Sequence, residues 1–186
     1  MTRVDDLWYL ASRASQRAEQ AYDDLRRSHS DFIEVTRTNH VSRNRFRTLA
    51  TRVSETGAPF GAHTIVYQPS GELLLVRHEG VDMWVVPGGG VDPGETFREA
   101  AERELREEAG VRAAYQGLAM TTRITFTCED YTTWGVLPVF QARAETTTPH
   151  VRDPDDEIST ARWFDELPED TRDREDLQTW RERTFA

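Results

Sequence analysis

The sequence predicts an α/β layered domain with an N-terminal helical extension, and three observations carry that reading. Short β-rich stretches bounded by turn residues surround one well-marked helix from about Thr96 to Ala109. Ahead of them, Leu7, Ala11, Ala14, Ala18, Ala21 and Leu25 recur at alternating spacings of four and three, which lines one face of a helix. The charge also changes sign along the chain, from net +2 over residues 1–56 to −12 over residues 57–186. A length of 186 residues suits one domain with an appendage. We therefore divide the chain into a helical extension, 1–56, and a domain, 57–186.

In the extension, a second helix is expected from about Asn39 to Val53, with Phe46, Leu49, Ala50 and Val53 on one side. The first stripe is narrow and rich in alanine, so it should dock on a neighbouring element or on a second copy of the chain, and a homodimer is one expectation. Gly57-Ala58-Pro59 marks the boundary. A strand over 63–67 then leads through the turn Gln68-Pro69-Ser70-Gly71 to a strand over 72–77. Met83–Val86 is a short apolar segment that runs into Pro87-Gly88-Gly89-Gly90. After the helix, closed by Gly110, strands are expected near 119–128, 131–142 and 161–164, and a closing helix over 173–183.

Composition excludes several classes. Hydrophobic residues make up 37%, with enough Trp, Phe, Tyr, Val and Leu for a packed core. No apolar run approaches the roughly 20 residues of a membrane-spanning helix. The N-terminus lacks the pattern of a secretory signal, and a cytoplasmic location is the expectation. The lone Cys128 cannot form an internal disulfide and reads as a small strand residue. Every one of the 23 basic residues is Arg, against 33 acids. That balance suits a salt-rich, halophilic cytoplasm, where an acidic surface stays hydrated, or reflects codon bias in a GC-rich genome. A formal charge of −10 also makes non-specific nucleic-acid binding a poor fit. The stretch Val35–Val53 runs against it, with Arg37, Arg43, Arg45, Arg47 and Arg52 and no acid. It reads first as a solvated face, and second as a basic lip for a polyphosphate or an RNA end.

The chemistry is concentrated between Gly89 and Val111. Glu104, Glu107 and Glu108 stand at i, i+3 and i+4, so their carboxylates project from one helix face. Phe97, Ala101, Leu105 and Ala109 form a separate apolar stripe suited to packing on a sheet. Three like charges repel, and a hard divalent cation such as Mg²⁺ relieves that repulsion because it binds carboxylate oxygens and bridges phosphates. The plainer alternative is an acidic face paired with Arg98, Arg103 and Arg106.

The full spacing decides between them. Gly89, then Glu95 after five residues, then Arg103-Glu104-Leu105-x-Glu107-Glu108-x-Gly110-Val111 after seven more, resembles the Nudix box at all nine of its defined positions. The resemblance covers roughly Ala58 to Leu167. It implies an α/β/α sandwich around a mixed sheet, and hydrolysis of a diphosphate linkage in a nucleoside di- or triphosphate derivative by water attack at phosphorus with Mg²⁺ or Mn²⁺. It implies metal ligands at Glu104, Glu107 and Glu108 with the backbone carbonyl at Gly89. Arg103 and Glu95 are implied as supports of the loop–helix–loop. Metal ions in such a site lower the pKa of bound water and polarise phosphoryl oxygens.

Residues outside the box extend the resemblance. Gly88 and Gly89 follow Trp84-Val85-Val86-Pro87 and allow close backbone approach to phosphates. Arg77 matches a phosphate-contacting position, with an ion pair at the strand edge as the alternative. Glu157, six residues before Trp163, matches an additional metal-binding or general-base glutamate on a loop over 151–159 whose polar composition suggests mobility. Asp156 beside it is a weaker match to the same role. The substrate is expected to be a small-molecule nucleotide of the (deoxy)nucleoside triphosphate type, because Phe126, Thr127, Cys128 and Glu129 stand where ADP-ribose and dinucleoside polyphosphate members carry Pro or Tyr. Trp84, Tyr131 and Trp134 could stack a base or belong to the core. The competing class is a ligand-sensing or nucleic-acid-associated binding module on the same fold, though sensors lose box glutamates and this box is intact. Isomerisation of isopentenyl diphosphate would need an additional Cys and a His-rich metal site that the sequence lacks.

Overall fold

A computed structural model describes residues 6–186; residues 1–5 of the N-terminal extension lie outside the described residues. The described residues form two compact units, one made of residues 6–61 and 120–138, the other of 62–119 and 139–186. No helix among the described residues is long and apolar enough to cross a membrane.

In the first unit, helix α1 (Asp6–Ser28) buries all six residues of the small-residue stripe, from Leu7 to Leu25. The stripe is covered within the chain. It faces helix α2 (Arg43–Thr56), whose buried side is Phe46, Leu49, Ala50 and Val53, and the start of strand β7 (Tyr131–Ala144). There the Thr133 hydroxyl donates to the Ala11 carbonyl at 3.0 Å, and lies 3.0 Å from the Ser15 hydroxyl. Ser42 caps α2 through its side chain, and Gly57 closes it in the left-handed conformation at φ 89°. A Cβ at Gly57 would stand 2.5 Å from the Ala21 Cβ, so this glycine also lets the two helices approach.

The segment between the helices departs from the sequence expectation. Residues Ile33–His40 form strand β1, so the second helix begins at Arg43 rather than near Asn39. β1 pairs in parallel with the second half of strand β6 (Ala113–Cys128), Ile33 opposite Met120 and His40 opposite Thr127. The strand lacks the alternating burial that sequence patterning detects, since Thr36 to His40 are all exposed. Tyr131 and Trp134 are absorbed in this unit's packing. Tyr131 lies near Phe46, and Trp134 is buried beneath the Arg123 guanidinium, 3.7 Å from the ring centroid.

The second unit is a mixed sheet with helices. Strand β2 (Ala62–Tyr67) runs parallel to the end of β7, His63 opposite Val139, and antiparallel to β3 (Leu73–His78). β3 pairs antiparallel with both β4 (Met83–Val85) and β8 (Ile158–Phe164). The short β5 (Gly88–Gly89) pairs antiparallel with the start of β2. Helix α3 (Phe97–Ala109) packs Leu105 and Ala109 against Val66, Leu74, Val76, Val85 and Ile158. Helix α4 (Arg174–Phe185) closes the chain and buries Leu177 and Trp180. The strands over 63–67, 72–77 and 161–164 and both helices of this region stand where the sequence places them, with ends shifted by up to three residues, and the apolar segment Met83–Val86 contains β4.

The close packing at Gly57 gives a test. Gly57→Ala meets both an unfavourable φ and the Ala21 side chain, and should lower the unfolding free energy by about 2–3 kcal/mol in urea titrations. A variant as stable as wild type would show that α1 and α2 tolerate more separation than their packing indicates.

Candidate active site

The site is built around α3. Thr96 caps its first turn in a reciprocal capping box with Glu99. The loop before it is tied by Glu95, whose Oε2 accepts the Asp92 N–H at 2.9 Å and whose own N–H donates to the Asp92 carbonyl at 3.0 Å. Arg103 then joins loop and helix. Its Nε and Nη2 donate to the two Glu95 oxygens at 2.7 and 3.0 Å, Nη2 also to the Gly90 carbonyl at 2.8 Å. Its Nη1 donates to Glu104 at 2.7 Å and to Glu107 at 3.5 Å. The Arg103 hydrogen bond holds the Glu95 carboxyl below the usual carboxylate range.

The three glutamates at i, i+3 and i+4 share one face but not one environment. Glu104 and Glu108 are 9% and 7% exposed, while Glu107 is more open. The Glu104 carboxylate lies against β5: a Cβ at Gly89 would stand 2.7 Å from it, so a side chain there would displace that carboxylate. Glu108 accepts the Gly88 N–H at 2.9 Å. Burial raises the pKa of both, and it pushes Glu108 up to about 9 despite that hydrogen bond, with the charges of Glu104, Asp153 and Glu157 adding to the rise. An uncompensated carboxylate in this position is costly.

All-oxygen donors with excess negative charge, beside a glycine backbone, are the chemistry that suits a hard cation such as Mg²⁺. Among the described residues, no three acidic, His or Cys side chains converge closely enough to hold an ion as they stand. Arg103 engages Glu104 and Glu107, while the Gly88 N–H engages Glu108.

The remaining sequence candidates fall on either side of this centre. Glu157 is exposed, yet its charge acts on Glu108, and its Oε2 lies 3.4 Å from His78 Nε2. The loop that carries it is bonded to the end of α3. His150 and Arg152 N–H groups donate to the Ala109 and Glu107 carbonyls at 2.7 and 2.8 Å, filling carbonyls that the end of α3 leaves open. Arg77 is bound by Asp170 at 2.5 Å and by Asp82, so its guanidinium is engaged by two carboxylates. Trp84 packs its ring on Phe164 at 4.7 Å.

Sequence comparison identifies the family. A family model described as NUDIX domain matches residues 58–183. The chain belongs to the NUDIX domain family. It is 41% identical over 88 residues to a putative 8-oxo-dGTP diphosphatase of Bacillus subtilis, across 47% of this chain and 59% of that protein. It is 41% identical over 59 residues to an RNA pyrophosphohydrolase of Shewanella piezotolerans, across 32% of this chain and 34% of the relative. The chain thus spans between about a third and three fifths of the length of these curated relatives. A crystal structure of a MutT NUDIX hydrolase from Burkholderia pseudomallei aligns with 63% of this chain and 94% of its own, at 27% identity and a TM-score of 0.48.

Within the Nudix domain the structure adds residues that the sequence reading did not single out. Asp153 accepts the Asp155, Glu157 and Ile158 N–H groups and so shapes the Glu157 loop; an Asp directly before Pro154 was the available signal. His63 is packed against Gly88, with its Nδ1 buried and unpartnered. Burial pushes this imidazole down to about 4, with the charges of Arg172 and His78 contributing. A folded value below the unfolded 6.5 means that the neutral ring is favoured in the fold. Its contribution to stability is therefore complete above pH 6.5 and lost as the pH falls toward 4, by roughly 3 kcal/mol in all. Urea unfolding at pH 7 and pH 4 should show that loss in wild type and a smaller one in His63→Gln. Equal losses in the two proteins would refute the assignment.

Proposed function

We propose that the protein hydrolyses a diphosphate linkage in a nucleoside triphosphate-type substrate by attack of water at phosphorus, supported by Mg²⁺ or Mn²⁺. The observation that carries this reading is the pair of buried, desolvated carboxylates of Glu104 and Glu108 against the Gly88-Gly89 backbone, with Glu107 on the same helix face. The names of the relatives, a putative 8-oxo-dGTP diphosphatase and an RNA pyrophosphohydrolase, point to the same class of bond.

Glu104, Glu107 and Glu108, with the Gly89 carbonyl, would hold the cation. Bound there, it supplies charge neutralisation for the phosphoryl oxygens and a more acidic water. The chain's own groups supply position. Arg103 keeps Glu104 and Glu107 on the glycine side of the helix while tying both to the Glu95 loop. Gly88 and Gly89 let the Glu104 and Glu108 carboxylates lie directly against the backbone. Glu157 is assigned to accept a proton from the attacking water at a carboxylate oxygen, its charge already acting on Glu108. Arg77, in this reading, holds the β3–β4 edge through Asp82 and Asp170 and presents its charge from there to the substrate.

The test is a product-release assay over a nucleotide panel that includes dGTP, 8-oxo-dGTP and a 5′-triphosphorylated RNA, with Mg²⁺ and with Mn²⁺. Glu107→Gln and Glu108→Gln should each lower kcat by about a hundredfold or more while the far-ultraviolet circular dichroism is retained. Turnover near wild type in both variants at saturating Mg²⁺ would refute the assignment of the α3 glutamates.

A further inference from the structure

Glu157 is held more firmly than an ordinary surface acid. Its N–H donates to Asp153 Oδ2 at 2.6 Å, and its carbonyl accepts the Glu79 N–H at 2.9 Å. The same Asp153 oxygen accepts the Ile158 N–H at 2.8 Å. Both backbone groups of Glu157 are thus fixed.

The side chain meets His78 because of an irregularity between β3 and β8. Arg77 stands opposite Thr160, but the next residue, His78, stands opposite Ile158, so Ser159 is an additional residue on β8. An extra residue of this kind bends its strand and re-aims the neighbouring side chains, and such irregularities concentrate beside active sites. The Ser159 hydroxyl is tied to the Glu79 carboxylate on the facing chain. The result brings His78 Nε2 to 3.4 Å from Glu157 Oε2. Gly80 leaves room for the ring, since a Cβ there would stand 3.1 Å from its Cε1.

The other ring nitrogen fixes the direction of this contact. His78 Nδ1 is buried without a partner. With the proton on Nε2, the ring turns an N–H toward the Glu157 carboxylate and leaves only a lone pair at Nδ1. The opposite tautomer would bury an N–H donor with no acceptor and face the carboxylate with a second lone pair, which is the costlier arrangement.

We propose that His78 is a positioning residue, which holds the Glu157 carboxylate in place through the 3.4 Å contact of its Nε2 with that carboxylate, set by the extra residue at Ser159. The proposal rests on the reading of Glu157 as the proton acceptor. It makes the residue at the end of β3 part of the reaction machinery without contact to substrate.

The experiment compares His78→Ala and His78→Gln, each alone and combined with Glu157→Gln, using 8-oxo-dGTP and Mg²⁺, with thermal melting to establish folding. His78→Ala should lower kcat about tenfold with KM nearly unchanged, and His78→Gln, which keeps an N–H donor, should recover most of the loss. In the Glu157→Gln background, His78→Ala should have no additional effect, because its influence passes through that carboxylate. A second readout needs no turnover: in the metal-free protein, Glu157→Gln should shift the His78 ring resonances in NMR spectra and leave those of His40 in place. Wild-type kcat in His78→Ala, alongside a collapsed kcat in Glu157→Gln, would overturn the positioning role and leave the role of Glu157 standing. So would an undiminished His78→Ala loss in the double variant, or unmoved His78 resonances. Wild-type kcat in Glu157→Gln would instead overturn the assignment of the proton acceptor itself.

Discussion

One guanidinium reconciles the requirements of the α3 face. Three glutamates within one helical turn repel one another, and two of them are buried, so the helix would be strained electrostatically without a compensating cation of its own. Arg103 supplies it from the same helix, and the planar fork of donors reaches Glu95, Glu104, Glu107 and the Gly90 carbonyl together. These contacts raise the affinity of Arg103 for its proton and leave it permanently charged. A lysine could satisfy the charge but not the geometry, because a point ammonium cannot pair both Glu95 oxygens while bridging to the next turn. One side chain thus links loop, helix and glycine backbone, and Glu108 adds a second tie through the Gly88 N–H.

The two ends of α3 extend this control in both directions. The reciprocal Thr96–Glu99 cap fixes where the helix begins relative to the glycine turn. At the other end, Gly110 adopts φ 63°, and its missing side chain makes room for the His150 carbonyl. The carbonyls of Glu107 and Ala109 then bind the 150–152 backbone. The helix that carries the box glutamates therefore also carries the loop of Glu157, and the two sets of carboxylates cannot move independently without breaking those bonds.

Much of this was legible in the sequence because it depends on local spacing. The stripe from Leu7 to Leu25 is buried as its period requires, and the box helix begins and ends at its own capping residues. The parts that were not legible depend on partners distant in the chain. Strand β1 gives no alternating signal because it is mostly exposed on both faces, and what makes it a strand is β6, more than eighty residues later. The engagement of Arg77 by Asp170 spans 93 residues. The loop over 151–159 reads as polar and loose, whereas its polar groups bind one another and the end of α3. Composition records which groups are hydrophilic but not whether they are already satisfied.

The discontinuous make-up of the first unit has a consequence for synthesis on the ribosome. Its helices and β1 lie within residues 1–61, but Met120, Thr133 and Trp134, which complete it, are added only after the box helix has been made. The alanine stripe of α1 can meet α2 early, yet β1 must wait for its parallel partner, because sequence-distant strand pairing follows closure of a long loop. This segment is thus translated before the strands that complete it, and the part of its surface that β6 and β7 cover stays open during that interval.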